Sequence, residues 1–364
     1  MEWAKLESGA RFNLAKSDLA SYPLAELPVR IEELEIDGPA GYGYGPLQER
    51  LARKAGVPPE CVVAATGTSM ANHLAMAAVL EPGDEVLIEH PTYELLVRVA
   101  EYLGATVRRF PRRFEEGFVV NPSEVAAAIT PATRAVVLTN LHNPSGARIP
   151  DATLGRVAEL AATHGTWLIV DEVYLEAVFD GSGDSPAGPG DIGARSAFHA
   201  APNVIATSSL TKGYGLSGLR CGWVLAPAPL AERMWRINDL FGSTAAHPAE
   251  LLSVIALDHL DTIAGRAHEL LARNHVLLDR FLDSRDDLVT ARPDGGTVAF
   301  PRLAGGRVEA LCRLLRDRYE TSVVPGRFFE MPEHFRIGIG GETEMVEEGL
   351  ARLGRALDEL PTGT

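Results

Sequence analysis

The sequence predicts an α/β fold, with a large domain on a mainly parallel sheet flanked by helices and a smaller α/β domain beside it. Two observations point there. From Cys61 to about Ala226, short β-branched runs alternate with helical stretches, the pattern of a parallel sheet covered on both faces. After about Pro248 the pattern changes to long helical sequence followed by brief strands. The expected division is residues 41–248 for the large domain and 1–40 with 249–364 for the small one.

The elements follow in order. Predicted strands are CVVAAT (61–66), EVLIEH (85–90), RAVVLTN (134–140), WLIVD (167–171), NVIATSS (203–209) and CGWVLA (221–226). Between them a helix over Thr92–Leu103 puts Leu95, Leu96, Val99 and Leu103 on one face. Another, over Asp151–His164, is expected to take Asp151 as its cap and to turn Leu154, Val157, Leu160 and Ala161 inward. The Gly-, Pro- and Asp-rich stretch 180–191 reads as a surface loop. Beyond it come a long helical stretch (Glu250–Leu282) and strands near 297–301, 321–324 and 335–339. A last helix carries Val346, Leu350, Leu353 and Leu357 on one stripe.

Charge narrows the function. Against 34 basic residues stand 49 acidic ones, a net charge of −15, which argues against a nucleic-acid or anionic-membrane binder. The short cluster Arg108, Arg109, Arg112 and Arg113 reads as a solvated strand end. Cys61, Cys221 and Cys312 have no CxxC spacing and read as small buried hydrophobes, with no metal site. No apolar run approaches a membrane span and the N-terminus has no signal-like core, so a cytoplasmic protein is expected. Only four of the basic residues are lysines: Lys5, Lys16, Lys54 and Lys212.

Ligands of open parallel sheets bind where strands end and loops lead into helices. Four such places carry polar residues. Gly67, Thr68 and Ser69 open a helix whose free N–H groups favour an anion, best of all a phosphate; taken alone the signal is weak, since a Ser or Thr before a helix is usually just an N-cap. His142-Asn143-Pro144-Ser145-Gly146 follows a strand and by itself is a turn. Asp171, in Asp171-Glu172-Val173-Tyr174, closes an apolar strand, where a carboxylate is costly without a cationic partner. Lys212 lies in SSLTKGYGLSGLR among hydroxyls and glycines, with Arg220 eight residues on. Desolvation and that arginine are expected to lower its pKa, as suits an amine that attacks a carbonyl.

Together these motifs resemble the fold-type I pyridoxal-phosphate enzymes of the class I/II aminotransferase group. HNPSG is similar to that family's HNPTG, DEVY stands unchanged, and SSLTKGYGLSGLRCGW resembles its SxSKxxxxxGxRxGW. The matches keep the family's order from about Tyr42 to Gly340. Thr211 and Ser145 depart from the usual Ser and Thr, but both keep a hydroxyl.

The resemblance implies pyridoxal 5′-phosphate as cofactor and the corresponding transferase fold. Lys212 would form the Schiff base and then shuttle the proton. Asp171 would pair with the pyridine nitrogen, while Asn143 and Tyr174 would bond the phenolic oxygen. Gly67, Thr68, Ser69, Ser209 and Arg220 would hold the phosphate, and Tyr93 would stack on the ring. Arg336 would grip the substrate α-carboxylate, with Asn143 beside it. A neighbouring subunit would add Tyr42, or alternatively Tyr44, to the phosphate, which implies a homodimer. The implied reaction moves an amino group between an L-amino acid and a 2-oxo acid. No second arginine of the kind that reads dicarboxylate side chains is found, so a preference for aspartate or glutamate is unsupported.

Near-identical motifs serve lyases, decarboxylases, cyclising synthases and oxidases, because the pocket selects which Cα bond breaks. A cofactor-binding regulator without turnover is a third reading. The intact lysine and the lack of an added helix-turn-helix segment count against it.

Overall fold

The computed structural model describes residues 2–39, 41–178, 195–292 and 295–360. Its centre is a seven-stranded sheet: β1 (Val62–Thr66), β2 (Glu85–His90), β3 (Thr106–Pro111), β4 (Thr133–Thr139), β5 (Trp167–Asp171), β6 (Val204–Ser209) and β7 (Cys221–Leu225). The spatial order is β1-β7-β6-β5-β4-β2-β3. Neighbours from β6 to β3 run parallel, and β7 runs antiparallel to both β6 and β1.

Strand periodicity explains the two buried faces. Val86, Ile88, Val137, Ile169, Ile205 and Val224 pack with helix Gly67–Val79 on one side. Leu87, Val136, Leu138, Leu168 and Val170 pack with helix Asp151–Thr163 on the other. A separate core gathers Leu14, Ala299, Leu311, Phe335, Ile337, Val346, Leu350, Leu353 and Leu357 around a short antiparallel sheet of Val298–Ala299, Phe335–Gly338 and Val324–Pro325. The N-terminal segment joins this second group, since Phe12–Asn13 pairs with Thr321–Ser322.

Several expectations need correction. Strand β3 was not among the predicted strands: it is an edge strand whose consecutive Arg108 and Arg109 fall on opposite faces, Arg108 on that of Phe110 and Arg109 on that of Val107. The arginine cluster is not all solvated, because Arg112 is 2% exposed and bonds Glu89 at 2.8 Å. Asp151 is the first helical residue rather than the cap, a position that Pro150 takes. There its charge still suits the helix start. The stretch 250–282 is two helices, His247–Asp258 and Leu260–Asp283, meeting at His259. The strand expected at 321–324 divides into Thr321–Ser322 and Val324–Pro325, which pair in different sheets. Cys221 and Cys312 are buried, whereas Cys61 is only half-buried. The loop expected at 180–191 lies outside the described residues.

Candidate active site

The loops after β1, β4, β5 and β6 open into one cavity of about 1120 Å³. The second core and residues 8–21 close it from the other side. Thr68, Ser69, Tyr93, Asn143, Asp171, Tyr174, Lys212, Arg220 and Arg336 all line it.

At one end helix Gly67–Val79 presents its first turn. Gly67 sits at φ +74°, and a β-carbon there would stand 2.2 Å from Arg220 Nη2. Glycine therefore lets the guanidinium lie against the helix start, with unpaired N–H groups beside it. Arg220 itself holds a left-handed φ of 53°, and its Nη1 donates to Ser217 O at 3.2 Å. Ser209 is fully buried behind this end, where its Oγ accepts from Thr68 Oγ1 at 2.8 Å and from Thr211 N at 3.2 Å. Such a cradle fits a phosphate.

Asp171 lies at the floor, 4% exposed. Burial raises its carboxyl to about 6, against the pull of bonds from Asn72 and Val173 N. It has no ion-pair partner among the described residues, so a cationic group placed here would be welcome. Sequence reasoning missed Asn72, whose Nδ2 donates to Asp171 Oδ2 at 2.7 Å. The available signal was a polar residue one turn after Thr68, on the helix stripe otherwise carrying Ala71 and Ala75.

Arg336 is buried beside Phe329, its guanidinium carbon 5.4 Å from that ring's centre. Nη1 donates to Asn143 Oδ1 at 2.8 Å and Nη2 to Ala15 O at 3.1 Å, while Nε is buried without a partner. No carboxylate neutralises it among the described residues, and burial holds its pKa below the usual arginine value. An uncompensated buried guanidinium of this kind is suited to receive an anion. Because Asn143 accepts with Oδ1, its NH2 group is the end left as donor toward the cavity. The loop behind Asn143 is fixed by His142, whose ring bonds Ser145 Oγ at 2.6 Å and Pro91 O at 2.9 Å.

Lys212 Nζ pairs with Asp18 and donates to Ser17 Oγ at 3.1 Å. Tyr174 Oη donates to the same Ser17 Oγ at 2.8 Å. Burial disfavours the ammonium, yet Tyr174 and Asp18 outweigh it, so the pKa lies above the ordinary lysine value. This overturns the expected lowering. The arginine whose charge opposes the ammonium is Arg336 rather than the expected Arg220. Ser17 and Asp18 carry no motif and sit some 195 residues away in sequence, so nothing local identified them.

Tyr93 lines the cavity half-buried, and burial raises its phenol. Tyr42 stands apart from it, 53% exposed, with its hydroxyl donating to Asp239 at 3.0 Å. Tyr44 packs edge-on against His247.

The fold is an α/β one, and its cavity has room and chemistry suited to a phosphate at the helix start, a cation at Asp171 and an anion at Arg336. A model of the family described as aminotransferase class I and II matches residues 35–353, and the chain belongs to that family. It is a pyridoxal-phosphate-dependent aminotransferase. The chain is 34% identical over 322 residues to the arginine–pyruvate transaminase of Pseudomonas aeruginosa, covering 86% of this chain and 79% of that protein. It is 31% identical over 362 residues to capreomycidine synthase of Streptomyces vinaceus, covering 96% and 90%. A solved PLP-dependent aminotransferase from Streptococcus suis 89-1591 superposes with a TM-score of 0.89 at 26% identity, covering 100% of this chain and 98% of that one.

Proposed function

We propose that this aminotransferase holds pyridoxal 5′-phosphate in the cavity described and moves the amino group of a cationic L-amino acid to a 2-oxo acid. The observation that carries the reading is the convergence of Lys212, the unpaired buried Asp171 and the anion receptor Arg336 on one cavity. When bound, the cofactor supplies an electron-withdrawing ring that stabilises negative charge developing at the substrate Cα.

The chain's own groups do the rest. Thr68, Ser69 and Arg220 hold the phosphate at the helix start, with Gly67 permitting the approach and Ser209 orienting Thr68. Asp171 keeps a positive charge on the ring nitrogen. Tyr93 packs against the ring face, while Asn143 and Tyr174 donate to the phenolic oxygen. Lys212 carries the cofactor and then moves the proton at the substrate Cα. Arg336 takes the α-carboxylate by a bidentate pair, which Asn143 orients.

A homodimer in which Tyr42 reaches the neighbouring subunit's phosphate fits its exposure and its distance from its own cavity; Tyr44 is the alternative. The division into residues 41–248 and the remainder is part of this reading, although Leu27, Ala256, Ile263 and Ala264 from the remainder pack with Leu51, Val62 and Trp223 of the large domain. No helix among the described residues is long and apolar enough to cross a membrane, and a cytoplasmic location is part of this reading.

Similarity to the arginine–pyruvate transaminase supports a cationic donor with pyruvate as acceptor. Similarity to capreomycidine synthase over nearly the whole chain keeps a second reading, synthase chemistry in the same cavity. One experiment separates them. The loaded enzyme is mixed with a panel of amino acids and followed by cofactor absorbance and product analysis. Conversion of the cofactor to its amine form, reversed by a 2-oxo acid, supports transamination. Release of carbon dioxide, ammonia or a cyclised product without that interconversion overturns it.

A further inference from the structure

Residues 14–20 form a wall of the cavity, and they are clamped from both sides. Leu14 O accepts from Gly338 N at 2.6 Å, Ala20 N donates to Gly340 O at 2.6 Å, and Leu19 N donates to Lys212 O at 3.3 Å. Three glycines permit this contact. A β-carbon would stand 1.7 Å from Lys16 O at Gly338, 2.3 Å from Asp18 O at Gly340, and 2.3 Å from Ala20 O at Gly215. The backbone that presents Asp18 is thus fixed in advance, which lowers the ordering cost of using its carboxylate.

Four carboxylates line the cavity: Asp18, Glu94, Asp171 and Glu342. Glu94 pairs with Arg98 and Glu342 with Arg266. Asp171 is bonded by Asn72 and Val173 N on the floor. Asp18 pairs with Lys212. If Lys212 carries the cofactor, as proposed above, its amine is no longer available to Asp18. A partly buried carboxylate is then left facing the cavity without its cation, a costly arrangement unless another cation arrives.

We propose that Asp18 reads the side chain of the amino donor and selects a guanidinium or ammonium group. The same wall binds Arg336 through Ala15 O, three residues earlier. Three residues of chain span at most roughly 10 Å. Arg336 and Asp18 are therefore close enough for one arginine or lysine to meet both, its α-carboxylate on the first and its side-chain cation on the second. This inference rests on the assignment of Lys212, and it goes further by naming the residue that sets donor preference.

The test measures kcat/KM of the holoenzyme for L-arginine, L-lysine, L-leucine and L-glutamate, with pyruvate as acceptor. The wild type should prefer the two cationic donors. Asp18→Asn should lower the arginine-to-leucine ratio by roughly 10- to 100-fold, chiefly through KM, as loss of one charge-assisted hydrogen bond implies. Asp18→Glu should restore part of that ratio, and Asp18→Arg should turn the preference toward glutamate. An unchanged ratio in Asp18→Asn overturns the inference. So does an equal loss for arginine and leucine, which would mean that Asp18 acts only on Lys212. A wild type that transaminates leucine as well as arginine overturns the inference and the cationic donor, but leaves transamination at Lys212 standing. A wild type that turns over no donor and shows no spectral response to L-arginine overturns both.

Discussion

Asn72 is a bridge between two strands of the sheet: its Nδ2 donates to Asp171 Oδ2 at 2.7 Å, and its Oδ1 accepts from Thr207 Oγ1 at 2.6 Å. The Asp171 carboxylate, which only accepts, fixes which way the amide points, and the Thr207 hydroxyl donates to the end that remains. The NH2 group must therefore face the carboxylate, and it opposes the upward pull of burial on that acid. Replacing Asn72 with Leu keeps the bulk and removes the donor, so Asp171 should titrate higher. A neutral Asp171 cannot balance a positive ring nitrogen. The cofactor dissociation constant, measured by equilibrium dialysis from pH 5 to 8, should rise roughly 10-fold at neutral pH for Asn72→Leu. Its acid limb should also move up from near pH 6. An identical pH profile in the two proteins would show that Asn72 only fills space.

The next residue, Glu172, offers a test of stability against pH. Burial raises its carboxyl to about 7, although Ser196 and Ala197 N bond it at 2.6 Å each. A pKa above the unfolded value means that the folded chain holds the proton more tightly. The associated stability is present at low pH and is lost as pH rises through about 7. The melting temperature of cofactor-free protein should therefore fall between pH 5 and pH 8. Glu172→Gln should flatten that fall, and the comparison is best made as the difference between the two proteins at each pH. A Glu172→Gln protein with an unchanged slope would count against a buried, protonated Glu172.

A buried ion pair underlies the Asn143 loop. Arg112 and Glu89 both have fully buried side chains and bond at 2.8 Å. Glu89 also accepts from Thr139 N at 2.8 Å, and Thr139 Oγ1 in turn accepts from Asn143 N at 3.2 Å. Removing one partner leaves the other charge stranded, at a cost of about 3–5 kcal/mol. Arg112→Met should lose that much in urea unfolding, whereas Arg112→Met with Glu89→Gln should recover a good part. Equal losses in the single and double variants would mean that the strands tolerate the lone carboxylate.

These same residues mark how far the sequence could be read. Asp171, Asn143 and Lys212 were legible because each ends or closely follows a strand of the sheet, and that geometry brings them to one edge. Arg112 was not, because its partner sits 23 residues earlier, on the preceding strand β2. The clue was Glu89 directly after the apolar run Val86-Leu87-Ile88 of the strand EVLIEH. Strand β3 was hidden by its edge position, where the adjacent Arg108 and Arg109 interrupt the apolar pattern of a buried strand. Asp18 was invisible for a different reason. Its contact with Lys212 depends on the close approach of Gly338, Gly340 and Gly215 to the N-terminal segment, a matter of tertiary packing with no local periodicity.

Gly67 gives the sharpest check on the phosphate end. Its φ of +74° is a strained region for any residue with a β-carbon, and that carbon would meet Arg220 Nη2 at 2.2 Å. A guanidinium is a flexible end and can withdraw, so Gly67→Ala should still fold, at a cost of about 1 kcal/mol or somewhat more. What it should lose is the seat of Arg220 against the helix start. Phosphate binding depends on that seat, so affinity for pyridoxal 5′-phosphate should fall by at least roughly 10-fold, the scale of one charge-assisted bond. Affinity for pyridoxal, which lacks the phosphate, should change much less. Fluorescence titration of both compounds against wild type and variant makes the comparison directly. If both weaken equally, Gly67 acts on the fold of the site; if only the phosphate ester weakens, the helix start and Arg220 are its cradle.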